Sequence, residues 1–247
     1  MLKLSELSVV IQDKQIINQC SYEFVSGKVH VLMGPNGSGK SSLVATIMGH
    51  PFYQISSGSI SWNNEEISNL SANQRCQKGI FLANQHPVEI QGLKVIHFLQ
   101  ETYSKSQGKS VSIKELLDYL QPFLKLVGLS EAILERSVNV GFSGGEKKRF
   151  ELLQMFLINP KLVILDELDS GVDVDGLKHL ANGLSWYKTN FPETTFIMIT
   201  HYGHILKYFK PDLVHIMMNG QIIASGNSSL AIDIEENGYG AYAKRIK

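Results

Sequence analysis

The chain has 247 residues, 23 basic and 23 acidic side chains, and a hydrophobic fraction of 43%. That length buries a core without a metal or disulfide staple, and a formal charge of zero argues against wholesale binding of a nucleic-acid backbone, which needs an electropositive face. Cys20 and Cys76 are far apart and too few to hold zinc or an iron–sulfur cluster, so they read as small hydrophobes in a reducing compartment. The apolar run Val9–Ile11 is too short for a signal-peptide core. No stretch approaches the roughly 18 apolar residues that span a bilayer. A cytoplasmic chain with no direct membrane insertion is the expectation.

In chain order, Leu2 to Val25 reads as a β hairpin or meander around the polar turn Gln12-Asp13-Lys14. The apolar run Lys28–Met33 reads as a buried strand, with His30 a core histidine. It leads through Gly34-Pro35-Asn36-Gly37-Ser38-Gly39-Lys40-Ser41 into the helical stretch Ser42–Met48. A hairpin-like region follows over 56–67, then a short strand at Gly79–Ala83. From about 88 to 141 the pattern turns helical. Ile113, Leu116, Leu117, Leu120, Leu124 and Val127 keep a 3–4 spacing, Pro122 is expected to kink or break that helix, and Gly128 to cap it. A further helix is expected over Glu146–Leu157.

Leu162–Leu165 and Phe196–Ile199 are continuous apolar runs, as in strands buried on both faces. Asn219-Gly220 between two β-rich runs signals a type I′ hairpin. The tail from Glu235 is polar, helical or loose. The pattern is α/β: a single unit, 1–247, whose parallel-sheet core and β subdomain (1–87 and 151–247) are interrupted by a helical lobe at 88–150. In such sheets ligands bind beyond the carboxyl ends of the strands, where the unusual residues gather.

GPNGSGKS satisfies G-x-x-x-x-G-K-[ST] in a strand–turn–helix context. Its glycines let backbone N–H groups curl around phosphate oxygens, and the helix N-terminus adds positive potential. Lys40 is placed to neutralise β- and γ-phosphate charge, and Ser41 to set a hydroxyl on Mg²⁺. LVILDE delivers Asp166 and Glu167 from a buried strand: one carboxylate for the Mg²⁺ water shell, the next to polarise an attacking water. Gln85 and His201 stand at two other strand ends, candidates for Mg²⁺ or water and for the γ-phosphate. Ser143 and Glu146 have capping-box spacing. Gly144 and Gly145 between them cost the helix roughly 0.5–1 kcal/mol each relative to alanine, which points to a helix end kept bare for an anion. The basic run Lys147-Lys148-Arg149 beside them is either a solvated first turn or a partner for Glu167.

These motifs in this order, over Leu4 to about Gly226, resemble the ATP-binding cassette ATPases. FSGGEKKR, LDELDSGVDVDGL, NQHPVEIQG and ITHYGHIL are similar to the soluble cassettes of the Suf iron–sulfur cluster assembly system. The resemblance implies a P-loop fold, ATP and Mg²⁺ as ligands, and ATP hydrolysis. It makes Gly34 to Ser41 the Walker A loop, with Ser42 extending its helix, and Gln85 the Q-loop residue. Ser143 to Glu146 become the signature, Asp166 the Walker B aspartate and Glu167 the catalytic carboxylate. Ser170 to Asp173 become the D-loop and His201 the switch histidine. It implies a transient head-to-tail homodimer around two ATP molecules. The implied partner is a SufB–SufD-type scaffold docked near Pro87–Gly92; the alternative is service as the ATPase subunit of a membrane transporter. Ile11 stands where such proteins commonly stack an aromatic on adenine.

Overall fold

The computed structural model describes residues 1–200 and 205–243. Strands β1 (Leu2–Ile11) and β2 (Lys14–Phe24) form the expected hairpin, turning through Gln12 and Asp13 with φ of 46° and 66°. After β3 (Val29–Met33) and helix α1 (Lys40–Met48), β4 (Gln54–Trp62) and β5 (Glu65–Glu66) complete an antiparallel sheet of order β2-β1-β4-β5. Helix α2 (Ala72–Gln77) leads into β6 (Ile80–Ala83).

Next come β7 (Ile90–Lys94), α3 (Val95–Gln107), α4 (Ile113–Leu126), β8 (Ser137–Val138) and α5 (Gly144–Ile158). The chain ends through β9 (Leu162–Asp166), α6 (Val174–Asn190), β10 (Thr195–Ile199), β11 (Leu213–Met218), β12 (Gln221–Gly226), α7 (Ser229–Asn237) and α8 (Gly240–Ala243). The expected Asn219-Gly220 turn joins β11 to β12 with φ of 49° and 75°, as type I′ geometry requires.

The central sheet has the order β12-β11-β3-β10-β9-β6, parallel except for the β11–β12 pair. Successive side chains on a strand point to opposite faces, so the continuous apolar runs feed two cores. Leu162 and Ile164 pack with Leu32, Ile197 and Ile199 against α1 and the antiparallel sheet. Val163 and Leu165 pack with Val31, Phe196 and Met198 against the helices of 95–190. Pairing brings Leu32, Ile199 and Asp166 level, with Ala83 beside Leu165. The carboxyl ends of β3, β6, β9 and β10 therefore lie together at one end of the sheet.

Three expectations need correction. Pro122 does not end α4, which runs unbroken from Ile113 to Leu126. A proline inside a helix costs about 3 kcal/mol, but α4 buries Leu116, Leu120, Phe123 and Leu124, and Phe123 stacks on Phe156 with ring centroids 4.6 Å apart. Burying side chains of that size is worth about 1.5–3 kcal/mol each, more than the proline takes away. Gly128, with φ of 66°, follows the helix end as a left-handed cap residue. The stretch 88–141 is also not purely helical. β7 and β8 pair antiparallel, Ile90 beside Val138, and the Asn139 side chain donates to Val88 O at 2.8 Å. Helix α5 begins two residues earlier than expected and runs across position 150.

Candidate functional site

The turn after β3 is shaped by close approach. A Cβ on Gly34 would lie 2.2 Å from the carbonyl oxygen of Met217 on neighbouring β11, so only glycine lets the chain leave the sheet there. Gly37 and Gly39 have φ of 77° and 103°. Pro35, Asn36 and Gly37 form the solvent-facing tip. Gly39 is the N-cap of α1 and supplies no side-chain cap, and the first turn carries no acid. The N-terminal amides of α1 therefore keep their full electropositive character.

Lys40 lies inside this turn, 5% exposed, donating from Nζ to Gly34 O (2.8 Å) and Pro35 O (3.1 Å). Burial lowers its pKa, and the charges of Glu167 and Asp166 oppose that shift. The Ser38 hydroxyl is buried with no hydrogen-bond partner among the described residues. A buried polar atom left unpaired at the wall of a loop is what a ligand-binding cradle shows. Ser42 continues α1, its carbonyl accepting from the Thr46 hydroxyl at 2.7 Å.

The strand ends bring the carboxylates to the same place. Ser41 Oγ donates to Asp166 Oδ1 at 3.3 Å. Asp166 is 7% exposed; burial raises its pKa against the Ser41 hydrogen bond and the nearby ammonium groups. Glu167 has φ of 50°, a left-handed conformation uncommon for a side chain of this size. Its amide donates to Ile199 O at 3.0 Å. Gln85, from the turn after β6, donates through Nε2 to Glu167 Oε2 at 2.5 Å. The structure thus brings together Lys40, Ser41, Gln85, Asp166 and Glu167. His201 lies outside the described residues.

Residues 143–146 form a second helix end. Ser143 N–H donates to Glu146 at 2.8 Å and Glu146 N–H donates to Ser143 Oγ at 3.1 Å, the reciprocal capping box expected. The Ser143 backbone N–H, outweighing burial, holds the Glu146 carboxyl below its usual range. Ser143 and Gly144 are exposed. Among the described residues no hydrogen bond joins 143–146 to the loop of 34–41. The three residues of the basic run beyond have three different environments. Lys147 pairs with Glu89 at 2.6 Å, and Arg149 donates to Gly128 O at 2.6 Å. Lys148 is 4% exposed and donates to Asn84 O (2.7 Å) and Gln85 O (2.9 Å). Its stem is buried and its ammonium hydrogen-bonds two carbonyls, while the charges of Glu151, Asp166, Glu167 and Asp169 act on it through space.

Two residues at the site carried no sequence signal. Tyr239, in the C-terminal segment, accepts the Gly34 N–H through its hydroxyl at 3.0 Å. Glu151, on α5, accepts the Asn84 N–H at 2.8 Å. Burial pushes its carboxyl up to about 7 against the charge of Lys148. Both contacts join segments remote in sequence, one across 205 residues and the other across 67.

A bare helix N-terminus, an ammonium wrapped in a glycine turn, and a hydroxyl–carboxylate pair beside a second carboxylate suit binding and cleavage of a nucleoside triphosphate. Residues 17–170 match the family model described as ABC transporter. The chain is 41% identical over 244 residues to "Probable ATP-dependent transporter SufC" of Escherichia coli (strain K12), covering 97% of this chain and 98% of that one. It is 43% identical over 245 residues to "Probable ATP-dependent transporter ycf16" of Antithamnion sp., covering 97% and 96%. Among solved structures, a dimeric bacterial ABC transporter cassette, MJ0796, superposes with a TM-score of 0.80 at 17% identity, covering 92% of this chain and 98% of that one. A nucleotide-free cassette superposes at 0.77 and 22% identity, covering 100% and 98%. The chain belongs to the ATP-binding cassette ATPases, and within them to the SufC type. It is an ATP-binding and ATP-hydrolysing subunit. Among the described residues no helix is long and apolar enough to cross a membrane.

Proposed function

We propose that residues 34–42 cradle the phosphates of ATP and that this chain is the ATPase of an iron–sulfur cluster assembly complex. In this reading the amides of 37–41 and the Lys40 ammonium take the β- and γ-phosphates. Glu167 orients the attacking water and accepts its proton as the bond from γ-phosphorus to the ADP oxygen breaks. His201, by its place after β10, contacts the γ-phosphate. The observation that carries the reading is the meeting of Lys40, the Ser41–Asp166 pair and the Gln85–Glu167 pair at one end of the sheet.

Ser41, Asp166 and Gln85 suit Mg²⁺ carried in with the nucleotide. Such an ion needs only one or two protein oxygens besides phosphate and water. Among the described residues there is no group of three His, Cys, Asp or Glu side chains that would make an all-protein cage. Once bound, Mg²⁺ supplies neutralisation of phosphate charge.

The exposed Ser143–Glu146 end, on the proposed 88–150 lobe, serves the nucleotide of a second copy in a head-to-tail, ATP-dependent homodimer. The partner is a SufB–SufD-type scaffold that supplies the cluster ligands, which suits two isolated cysteines here. Neutral net charge supports a role without nucleic acid, and the cytoplasm is the compartment of this reading. Glu167→Gln should retain ATP binding, lose at least about 100-fold in turnover, and run as a dimer with ATP in size exclusion with light scattering. Normal turnover in that variant overturns the carboxylate assignment.

The matched family and both relatives carry the word transporter in their descriptions, which favours a second reading as the ATPase subunit of a membrane transporter. Co-purification decides between them: a cluster-bearing scaffold supports assembly, an integral permease the alternative.

A further inference from the structure

Helix α5 does more than present residues 143–146. One turn into it, two buried side chains three residues apart reach the chain that leaves β6. Glu151, 5% exposed, accepts the Asn84 N–H through Oε1 at 2.8 Å. Lys148 donates to the Asn84 and Gln85 carbonyls at 2.7 and 2.9 Å. Both main-chain polar groups of Asn84 and the carbonyl of Gln85 are thus held by α5. Glu151 Oε2 makes no hydrogen bond among the described residues, and Lys148 Nζ stands 4.0 Å from it. An aliphatic side chain would pack here without stranding a carboxylate oxygen, since such polar groups are costly unless paired. What the carboxylate gains in return is the Asn84 amide.

The next residue is the one whose side chain meets Glu167 at 2.5 Å. The clamp holds the main chain at Asn84 and at Gln85 itself, so it fixes where the Gln85 side chain starts. We infer that Glu151 and Lys148 are positioning residues: they lock the main chain at 84–85 to α5 and so set the Gln85 amide against Glu167. The helix that begins at Ser143 and the turn that carries Gln85 then move as one body. A shift of α5, such as closure onto a second copy would impose, is delivered directly to Glu167. The functional half of this inference rests on the role proposed for Glu167; the mechanical half does not.

The test uses the full chain. In Glu151→Ala, amide hydrogen exchange of peptides spanning 83–90 should rise at least tenfold while exchange in 162–166 stays as in the parent. Its kcat for ATP should fall about tenfold with KM changed less than twofold. Glu151→Gln keeps an oxygen for the Asn84 N–H and should restore both readouts to within threefold. If Glu151→Ala does not fold, Lys148→Met, which keeps the buried stem, should show the same exchange and kcat changes. Unaltered exchange at 83–90, or an unaltered kcat in a variant whose exchange has risen, overturns the inference. The two readings fail separately. Full turnover in Glu167→Gln refutes the hydrolytic assignment whatever Glu151 does, and unchanged exchange refutes the clamp whatever the turnover.

Discussion

Lys40 is a buried lysine that donates to the turn around it. Its ammonium donates to two carbonyl oxygens; burial lowers its pKa, and the charges of Glu167 and Asp166 oppose that shift. An incoming phosphate replaces weak carbonyl contacts with charge-assisted ones, which are roughly twice as strong. Lys40→Ala should weaken ATP binding by at least about 30-fold, the loss of a charge-assisted hydrogen bond worth about 2 kcal/mol or more. Titration with a fluorescent ATP analogue measures this, and near-parental affinity would remove Lys40 from the proposed cradle. The motif around Lys40 was legible because the chemistry is local: glycines, lysine and serine at fixed offsets in eight consecutive residues. Tyr239, which holds the Gly34 amide from 205 residues away, was not legible, since a lone tyrosine in a polar tail carries no pattern.

At the scale of elements, the two ends of α1 are treated differently. Its N-terminus is left bare, while its C-terminus is held by Arg75 of α2. That guanidinium is 2% exposed and donates to the carbonyls of Thr46 (2.7 Å) and Ile47 (2.8 Å) in α1, and to Ser68 (2.8 Å) and Leu70 (2.8 Å). A cation at a helix C-terminus complements the dipole, and five donors in a planar fork satisfy several carbonyls together. Arg75→Ala should cost about 3 kcal/mol or more in urea unfolding, because it strands buried acceptors at about 1–3 kcal/mol each. Arg75→Lys should recover less than half, for want of the fork. A loss below 1 kcal/mol would show that water replaces the guanidinium. Pro122 teaches the converse lesson. Helix propensity marked it as a kink or a break, and the buried stripe of α4 keeps the helix unbroken across it. The stripe itself was visible in the sequence, but the aromatic neighbours that make its burial worth more than the proline costs come from α5 and α6.

Across the whole molecule, a hydrogen-bonded histidine pair on neighbouring strands β3 and β11 of the central sheet lies beneath the antiparallel sheet. The His30 Nε2–H donates to Val25 O at 3.0 Å, because a carbonyl can only accept. His30 Nδ1 is then the acceptor, so His215 Nε2–H donates to it at 2.9 Å, and His215 Nδ1 accepts from the Ser225 hydroxyl at 2.9 Å. Tyr22 and Phe24 of β2 close over the pair with edge-on rings, tying the antiparallel sheet to the central one. Burial, then the charge of a protonated His30, lowers the pKa of His215 to about 3. Burial also lowers that of His30, with Asp212 opposing and Lys28 reinforcing. A histidine with a depressed folded-state pKa is protonated first in the unfolded chain. Stability is therefore full above the unfolded value near 6.5 and is lost as pH falls toward 3, at up to about 1.4 kcal/mol per pH unit for one group. Urea unfolding at pH 7, 5.5 and 4.5 should show that slope. His215→Gln should be flatter over the same range, and parallel curves for the two proteins would acquit the pair.

The sequence by itself determined the strands and helices that recur with a clear period, the glycine turn, the acids at a strand end and the capped start of α5. Each of these depends on neighbours within a few residues. Tertiary structure alone decided which strand lies beside which, and so which strand ends lie together. It alone gave Lys148 to Asn84 and Gln85, left Gln85 for Glu167, and brought Tyr239, Glu151 and Arg75 to main-chain groups far along the chain. Those choices are made by burial: a polar group removed from water takes whatever partner the packed core sets within 3 Å of it, and sequence distance has no part in that selection.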